Sequence, residues 1–274
     1  MSESSASLTP ALPPETRATP RPLPRWLRHH GPPLVTFLLL LVAWQVLVPL
    51  LRVPPFILPP PSLIWSRTLD FGVPMLLGHL WTTLYEVVAG FALAVVVAIP
   101  LALLIASAPA LRNTILPLLV SSQSIPKVAI APLVLIWVGY GELPKIIIAA
   151  LVAFFPVVVD TAQGLQLVPR ELLDLAHSLT HNRLRIFFKI RFPAALPYFF
   201  ASLKVAISLA VVGAVIGEFV GSNAGLGYLV LVAMAQANTA LAFGALVLLS
   251  LLGIVLFEIV ALVERLVCPW YAHD

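Results

Sequence analysis

The side chains with chemical capacity are few in this chain, and they stand in three places. His177 and His181 are four residues apart, the spacing that puts two imidazoles on one helical face where a metal could bind. Only Asp174 is placed to add a third ligand, so a pair of surface histidines is the expected reading and no metal site is assigned. Lys204 and Glu258 interrupt long apolar runs, where an uncompensated charge is costly. Each falls about two helical turns from one end of its run, and they are expected to share a depth as an intramembrane pair. Ser121, Ser122, Gln123, Ser124 and Lys127 form a polar run beside Pro126. They could line a polar path, or the serines could let helices approach closely.

Other chemistry is absent from the sequence. No G-x-x-x-x-G-K-[ST] phosphate loop occurs, so any nucleotide energy must come from another chain. The glycines of GSNAGLGY follow no strand and suit an irregular re-entrant turn better than a dinucleotide site. A lone cysteine, Cys268, offers neither an internal disulfide nor metal-ligand spacing. Asp160 and Glu218 fall near helix ends and read as boundary charges. No catalytic constellation, cofactor site or metal centre is expected.

The elements that must position these residues are membrane helices. Of 274 residues 60% are hydrophobic and 10% charged, with mean hydropathy +1.02, more apolar surface than one soluble core could bury. A helical span needs roughly 20 apolar residues, and several runs here reach that length without the alternation of a barrel strand. Six spans are expected, at about 34–52, 84–107, 115–139, 144–160, 198–219 and 241–265. Pro117, Pro126 and Pro132 should kink or break the third. Between the first two, PPFILPPPSLIWSRTL reads as a stiff extended segment followed by a short amphipathic interfacial stretch.

Residues 1–33, rich in Pro, Ser, Thr and Arg, read as a disordered basic tail, with a transmembrane domain over 34–270. Arginines in the tail, Arg112, the basic residues of 161–197 and Arg265 all fall on one side if both termini are cytoplasmic. The formal charge of +4 is thereby explained by loops facing the cytoplasm and anionic lipid, and no nucleic-acid partner is implied.

The stretch DLAHSLTHNRLRIFFKIRFPAALP, residues 174–197, resembles the cytoplasmic signature of bacterial ABC-importer permeases: Glu-Ala-Ala, three residues, Gly, nine residues, Ile, one residue, Leu-Pro. Asp174, Leu175 and Ala176 stand at the triplet, Thr180 at the glycine, Ile190 at the isoleucine, and Phe192 and Pro193 at the close. IPKVAIAPLVLIWVGYGELPKI, FFPVVVDTAQGL and GEFVGSNAGLGYLV are similar to the branch serving importers of nitrate, sulfonates, taurine and thiamine pyrimidine precursors.

The resemblance implies an all-α, MetI-like type I ABC importer permease fold in the bacterial inner membrane. It further implies a homodimer of permeases, two copies of a separate ATPase docked at loop 161–197, and a periplasmic solute-binding protein. Leu172, Leu173, Ala176 and Leu179 would offer the apolar docking face, rimmed by Arg183, Arg185 and Lys189. The rival readings are a secondary transporter, which would need more intramembrane acids and internal repeats, and a channel-like membrane protein not coupled to an ATPase.

Overall fold

The computed structural model describes the backbone of residues 25–180 and 182–270, and their side chains except at 25–34, 170 and 183. Residues 1–24 of the expected tail and His181 lie outside the described residues. The chain divides into two units, one ending at Leu47 and one beginning at Val48. Helix α1 runs Arg25–Leu50, so the helix reaches into the stretch read as tail.

The second unit carries the remaining elements. Helix α2 (Pro61–Asp70) starts at a proline, whose missing donor costs nothing in a first turn, and fills the expected short amphipathic stretch. Helix α3 (Val73–Ser107) follows the positive-φ Gly72 and has a proline in its first turn. It therefore begins a full three turns before the expected 84. Helices α4 (Pro109–Ser122) and α5 (Lys127–Val138) are bent by 94° across the break between them. Pro126 caps α5 at this break, whereas Pro117 and Pro132 lie inside helices that continue through them, so of the three prolines expected to kink or break the segment Pro126 stands at the break.

Helix α6 (Leu143–Gly164) leads to α7 (Arg170–Leu179), the short α8 (Arg183–Ile186) and a π-turn over Phe187–Arg191. Helix α9 (Phe192–Gly221), the short apolar α10 (Leu226–Ala235) and α11 (Thr239–Val267) complete the chain. Among the described residues four helices are long and apolar enough to cross a membrane, or five if the bent pair is one span. The expected count of six is not reached there: Val35–Leu50, the apolar part of α1 that is described, is shorter than a span. The all-helical membrane class is as expected.

Small residues hold the core together. Helix α6 is packed between α3 and α9, and Ala149 is pinched from both sides. A Cβ placed on Gly90 of α3 would stand 2.5 Å from the Ala149 Cβ, and one on Gly213 of α9 would stand 2.6 Å from its Cα. Alanines 94, 98, 102, 153, 206, 210 and 214 continue the same buried seams. Within lipid, where burial of apolar surface does not drive helices together, such close backbone approach maximises dispersion contact.

Candidate functional site

Three constructions on this frame could carry function. The first is the α7 to π-turn segment. Pro169, in extended conformation, precedes α7 and lets the chain leave α6 before re-entering helix; Glu171 lies in the first turn, where the helix dipole favours an acid. Ala176 is buried against the protein, while Leu172, Leu175 and Leu179 point outward, 44%, 58% and 79% exposed. Their spacing of three and four makes one apolar stripe; Leu184 and Phe188, beyond the turn, are also exposed. The expected face was Leu172, Leu173, Ala176 and Leu179; the observed stripe substitutes Leu175, because Leu173 and Ala176 turn toward the protein. Asp174 is exposed beside it.

Thr180, at the glycine position of the motif, has φ −156° and ψ 135°, extended backbone that any residue adopts. Its N–H closes α7 by donating to Ala176 O at 3.0 Å, and its hydroxyl accepts from Asn182 N at 3.3 Å. Asn182 Oδ1 then accepts from Leu184 N (3.1 Å) and Arg185 N (3.2 Å), capping α8. Side-chain caps thus flank the turn, and Thr180 itself needs no positive φ. Ile190 is half-buried in the π-turn; Phe192 and Pro193 open α9, with Phe192 among the rings of Phe187 and Phe188. His177 Nδ1 lies 2.6 Å from Leu173 O of its own helix.

The second construction is a cavity of about 220 Å³ at the break between α4 and α5. Ser122, Gln123 and the half-buried Lys127 give it polar groups, and Ile148, Phe154 and Phe155 of α6 give it an apolar wall. Ser121 and Ser124 stand outside its lining. Of the expected polar path, the structure brings Gln123 and Lys127 to one cavity and leaves those two serines out.

The third was not foreseen. Glu86 (α3), Lys145 (α6) and Glu218 (α9) are all buried, and Lys145 forms an ion pair with Glu86. Lys145 Nζ also donates to Ser222 Oγ at 3.1 Å. Glu218 Oε2 accepts from Gly227 N (2.5 Å) and Tyr228 N (3.2 Å), and its Oε1 accepts from Thr83 Oγ1 at 2.6 Å. Thr83 Oγ1 in turn accepts from Leu226 N at 2.8 Å, and His79 Nδ1 from Gly225 N at 3.1 Å. The free N–H groups at the start of α10 are therefore satisfied by side chains of α3 and α9. Glu218 is a helix cap supplied from another helix, not the boundary charge expected of it. The available signal was the rarity of acids within apolar runs, which Glu86 and Glu218 share.

A further ion pair links α9 to α11. Lys204 Nζ donates to Glu264 Oε2 at 2.7 Å, so the partner of Lys204 is Glu264 where Glu258 was expected. Glu258 lies on the exposed stripe of α11, and Glu264, 3% exposed, lies on the buried one with Leu256 and Ala261.

Residues 94–268 match the family model described as "binding-protein-dependent transport system inner membrane component". The formylaminopyrimidine transport permease protein ThiX of Halalkalibacterium halodurans is 35% identical over 238 residues, covering 87% of this chain and 95% of that protein. The riboflavin transport system permease protein RibX of Chloroflexus aurantiacus is 38% identical over 266 residues, covering 94% and 98%. Among solved structures, a chain of the MetNI methionine ABC transporter in inward-facing conformation aligns with TM-score 0.63 at 20% identity, over 71% of this chain and 97% of that one. At that identity the likeness is one of fold.

Proposed function

The chain belongs to the family of binding-protein-dependent transport system inner membrane components, and on that premise we propose that its outward-facing α7 stripe is where a separate ATPase docks. Membership makes it a multi-pass ABC-transporter permease of the nitrate, sulfonate and taurine branch, a transport subunit whose ATPase is a separate chain. The observation that carries the docking proposal is the row Leu172, Leu175 and Leu179, apolar, helical and turned away from the chain's own core. An amphipathic helix of this kind fits a groove of a partner protein. Asp174, Leu175 and Ala176 begin the docking element, and Thr180, Ile190, Phe192 and Pro193 connect it to α9.

In this reading loop 161–197 and both termini are cytoplasmic, supported by the distribution of Lys and Arg. Two copies of the chain enclose the path, two ATPase copies bind beneath, and a solute-binding protein delivers cargo on the opposite side. Closure of the ATPase dimer moves α7, and the π-turn transmits that motion to α9, rocking the bundle as a rigid body. Co-purification of the full-length chain with its ATPase tests the assignment. Leu175→Asp with Leu179→Asp should abolish the complex while the chain stays monodisperse; an intact complex would refute the docking site.

The cargo class follows from relatedness and from the cavity at the α4–α5 break. The two relatives named for formylaminopyrimidine and riboflavin are 35% and 38% identical, those named for aliphatic sulfonates, taurine and nitrate 25–28%. A flat nitrogen heterocycle of the pyrimidine-precursor kind suits Gln123 and Ser122 as hydrogen-bonding groups with Phe154 and Phe155 as apolar wall. Lys127 favours an anionic cargo, the second reading. Uptake of labelled formylaminopyrimidine against taurine and nitrate, in cells carrying the complete importer, separates the two.

A further inference from the structure

Two cavities share Leu165, the residue that follows the last turn of α6, in their linings. One, of about 280 Å³, is walled by Leu103 of α3, by Phe187 and Phe192 at the π-turn and by Phe199 of α9. The other, of about 300 Å³, is lined by Arg112, Gln166 and Arg191. An aromatic groove and a pocket holding two guanidinium groups therefore border the same residue.

Neither arginine has a carboxylate within ion-pairing distance among the described residues, where the ion pairs are Lys145 with Glu86 and Lys204 with Glu264. A second feature stands in the wall of the groove. Thr161 is 7% exposed, lines the aromatic cavity, and has a hydroxyl that makes no hydrogen bond. Buried hydroxyls are ordinarily paired, so this one is left wanting an acceptor. It lies one helical turn from Leu165, about 6 Å along the axis.

We propose that this groove binds an anionic phospholipid. The phosphate lies between Arg112 and Arg191, whose planar forks match phosphate oxygens. An ester carbonyl, a few bonds deeper in the molecule, accepts from Thr161, and an acyl chain covers the rings of Phe187, Phe192 and Phe199. The cytoplasmic placement of loop 161–197 proposed above agrees with the chemistry: Arg112, in the first turn of α4, and Arg191, directly before α9, would then stand toward the cytoplasmic headgroups. Charge complementarity selects a net anionic lipid over a zwitterionic one, because two cations face the phosphate and no acid among the described residues is in ion-pairing reach to offset them. Leu173 of α7 lines the same basic pocket, so the headgroup sits beneath the helix that presents the apolar stripe.

The test is lipid retention by the full-length chain in nanodiscs of phosphatidylcholine containing a minor fraction of phosphatidylglycerol, read by native mass spectrometry after release. Phosphatidylglycerol should be enriched roughly tenfold over its share of the bilayer, and Arg112→Gln with Arg191→Gln should bring retention to within about twofold of that share. Both arginines are at least partly exposed, so this variant should elute as a folded, monodisperse species. Thr161→Val, nearly isosteric, should lower retention about threefold without changing the preference for the anionic headgroup. Equal retention of the two lipids by the unaltered chain would overturn the proposal, as would unchanged enrichment in the double arginine variant. Displacement of the lipid by millimolar inorganic phosphate would identify a free-anion pocket instead, and cross-linking of the groove to a second copy of the chain would identify a protein interface.

Discussion

Glu218 Oε2 accepts the N–H of Gly227 at 2.5 Å, so a carboxylate near the end of one membrane helix caps the next helix in the chain. The loop between them is short, and Gly225, with φ +112°, is seated so near the carboxylate that a Cβ there would collide with it. Glu218→Ala would leave the N–H groups of Gly227 and Tyr228 without their acceptor in a buried place and turn the Thr83 hydroxyl back on the His79 carbonyl alone. The expected loss is about 2–4 kcal/mol, read as a lowered thermal midpoint in detergent. A midpoint unchanged by this substitution would show that water replaces the cap.

Lys145 and Glu86 behave as one unit, since both are almost wholly buried and Lys145 has no other acid in ion-pairing reach among the described residues. Lys145→Met alone abandons Glu86 without its cation and should cost about 3–5 kcal/mol. Adding Glu86→Gln should restore much of that loss, because the pair's own desolvation offsets most of its attraction. A double-mutant cycle measures this, and additive losses would mean that the two residues act independently.

The all-helical membrane class was legible because it depends on composition and run length, which a chain cannot disguise; the number and bounds of the spans were less so, since four or five stand among the described residues where six were expected. The break at Pro126, where polar residues and a missing donor coincide, was legible as well. Helix register was not legible. Depth alone could not tell Glu258 from Glu264, which lie on the same helix but on opposite stripes, and only packing against α9 decides between them. The α10 cap escaped for a related reason: Thr83 and His79 of α3 are far in sequence from Glu218 and meet its surroundings only after α3 and α9 have packed on α6. At Pro117 and Pro132 the helix continues, because a proline removes one donor but does not by itself end a helix held by its neighbours.

For Lys204 the structure separates two substitutions that the sequence treats alike. Glu264→Ala removes a charged acceptor from a partly buried lysine and should cost about 2 kcal/mol, whereas Glu258→Ala, on the exposed stripe, should stay within about 0.5 kcal/mol. Thermal unfolding of the two variants decides, and equal losses would place Glu258 in the pair after all.

Glycines of one helix should respond in opposite directions. Gly78 of α3 has open space where a methyl group would stand, so Gly78→Ala should stabilise by about 0.5–1 kcal/mol through the reduced freedom of the unfolded chain. Gly90→Ala drives a methyl to 2.5 Å from Ala149 and should destabilise by about 1–3 kcal/mol. Gly213→Ala should do the same from the α9 side, and combining it with Gly90→Ala should be worse than either, since both press on Ala149. Thermal midpoints of the four variants in one detergent check the order, and a stabilised Gly90→Ala would show that the α3–α6 seam can open.

Thr180 supplies the sharpest test of how motif and mechanism relate. If a glycine at this position worked by adopting positive φ, Thr180→Gly would improve the turn. Here the residue is extended at φ −156°, with its hydroxyl accepting from Asn182, so the substitution should instead cost about 0.5–1 kcal/mol through added backbone freedom and a lost hydrogen bond. ATPase binding should be unchanged, because the docking stripe of Leu172, Leu175 and Leu179 precedes the turn and is left intact. Asn182→Ala should weaken binding more than Thr180→Gly does, since it removes the acceptor that starts α8 and so disturbs the segment that carries the exposed Leu184 and Phe188. Affinity of the ATPase for the two variants, measured side by side in detergent, checks the order; a stronger effect from Thr180→Gly would mean that the turn itself, not the stripe, makes the contact.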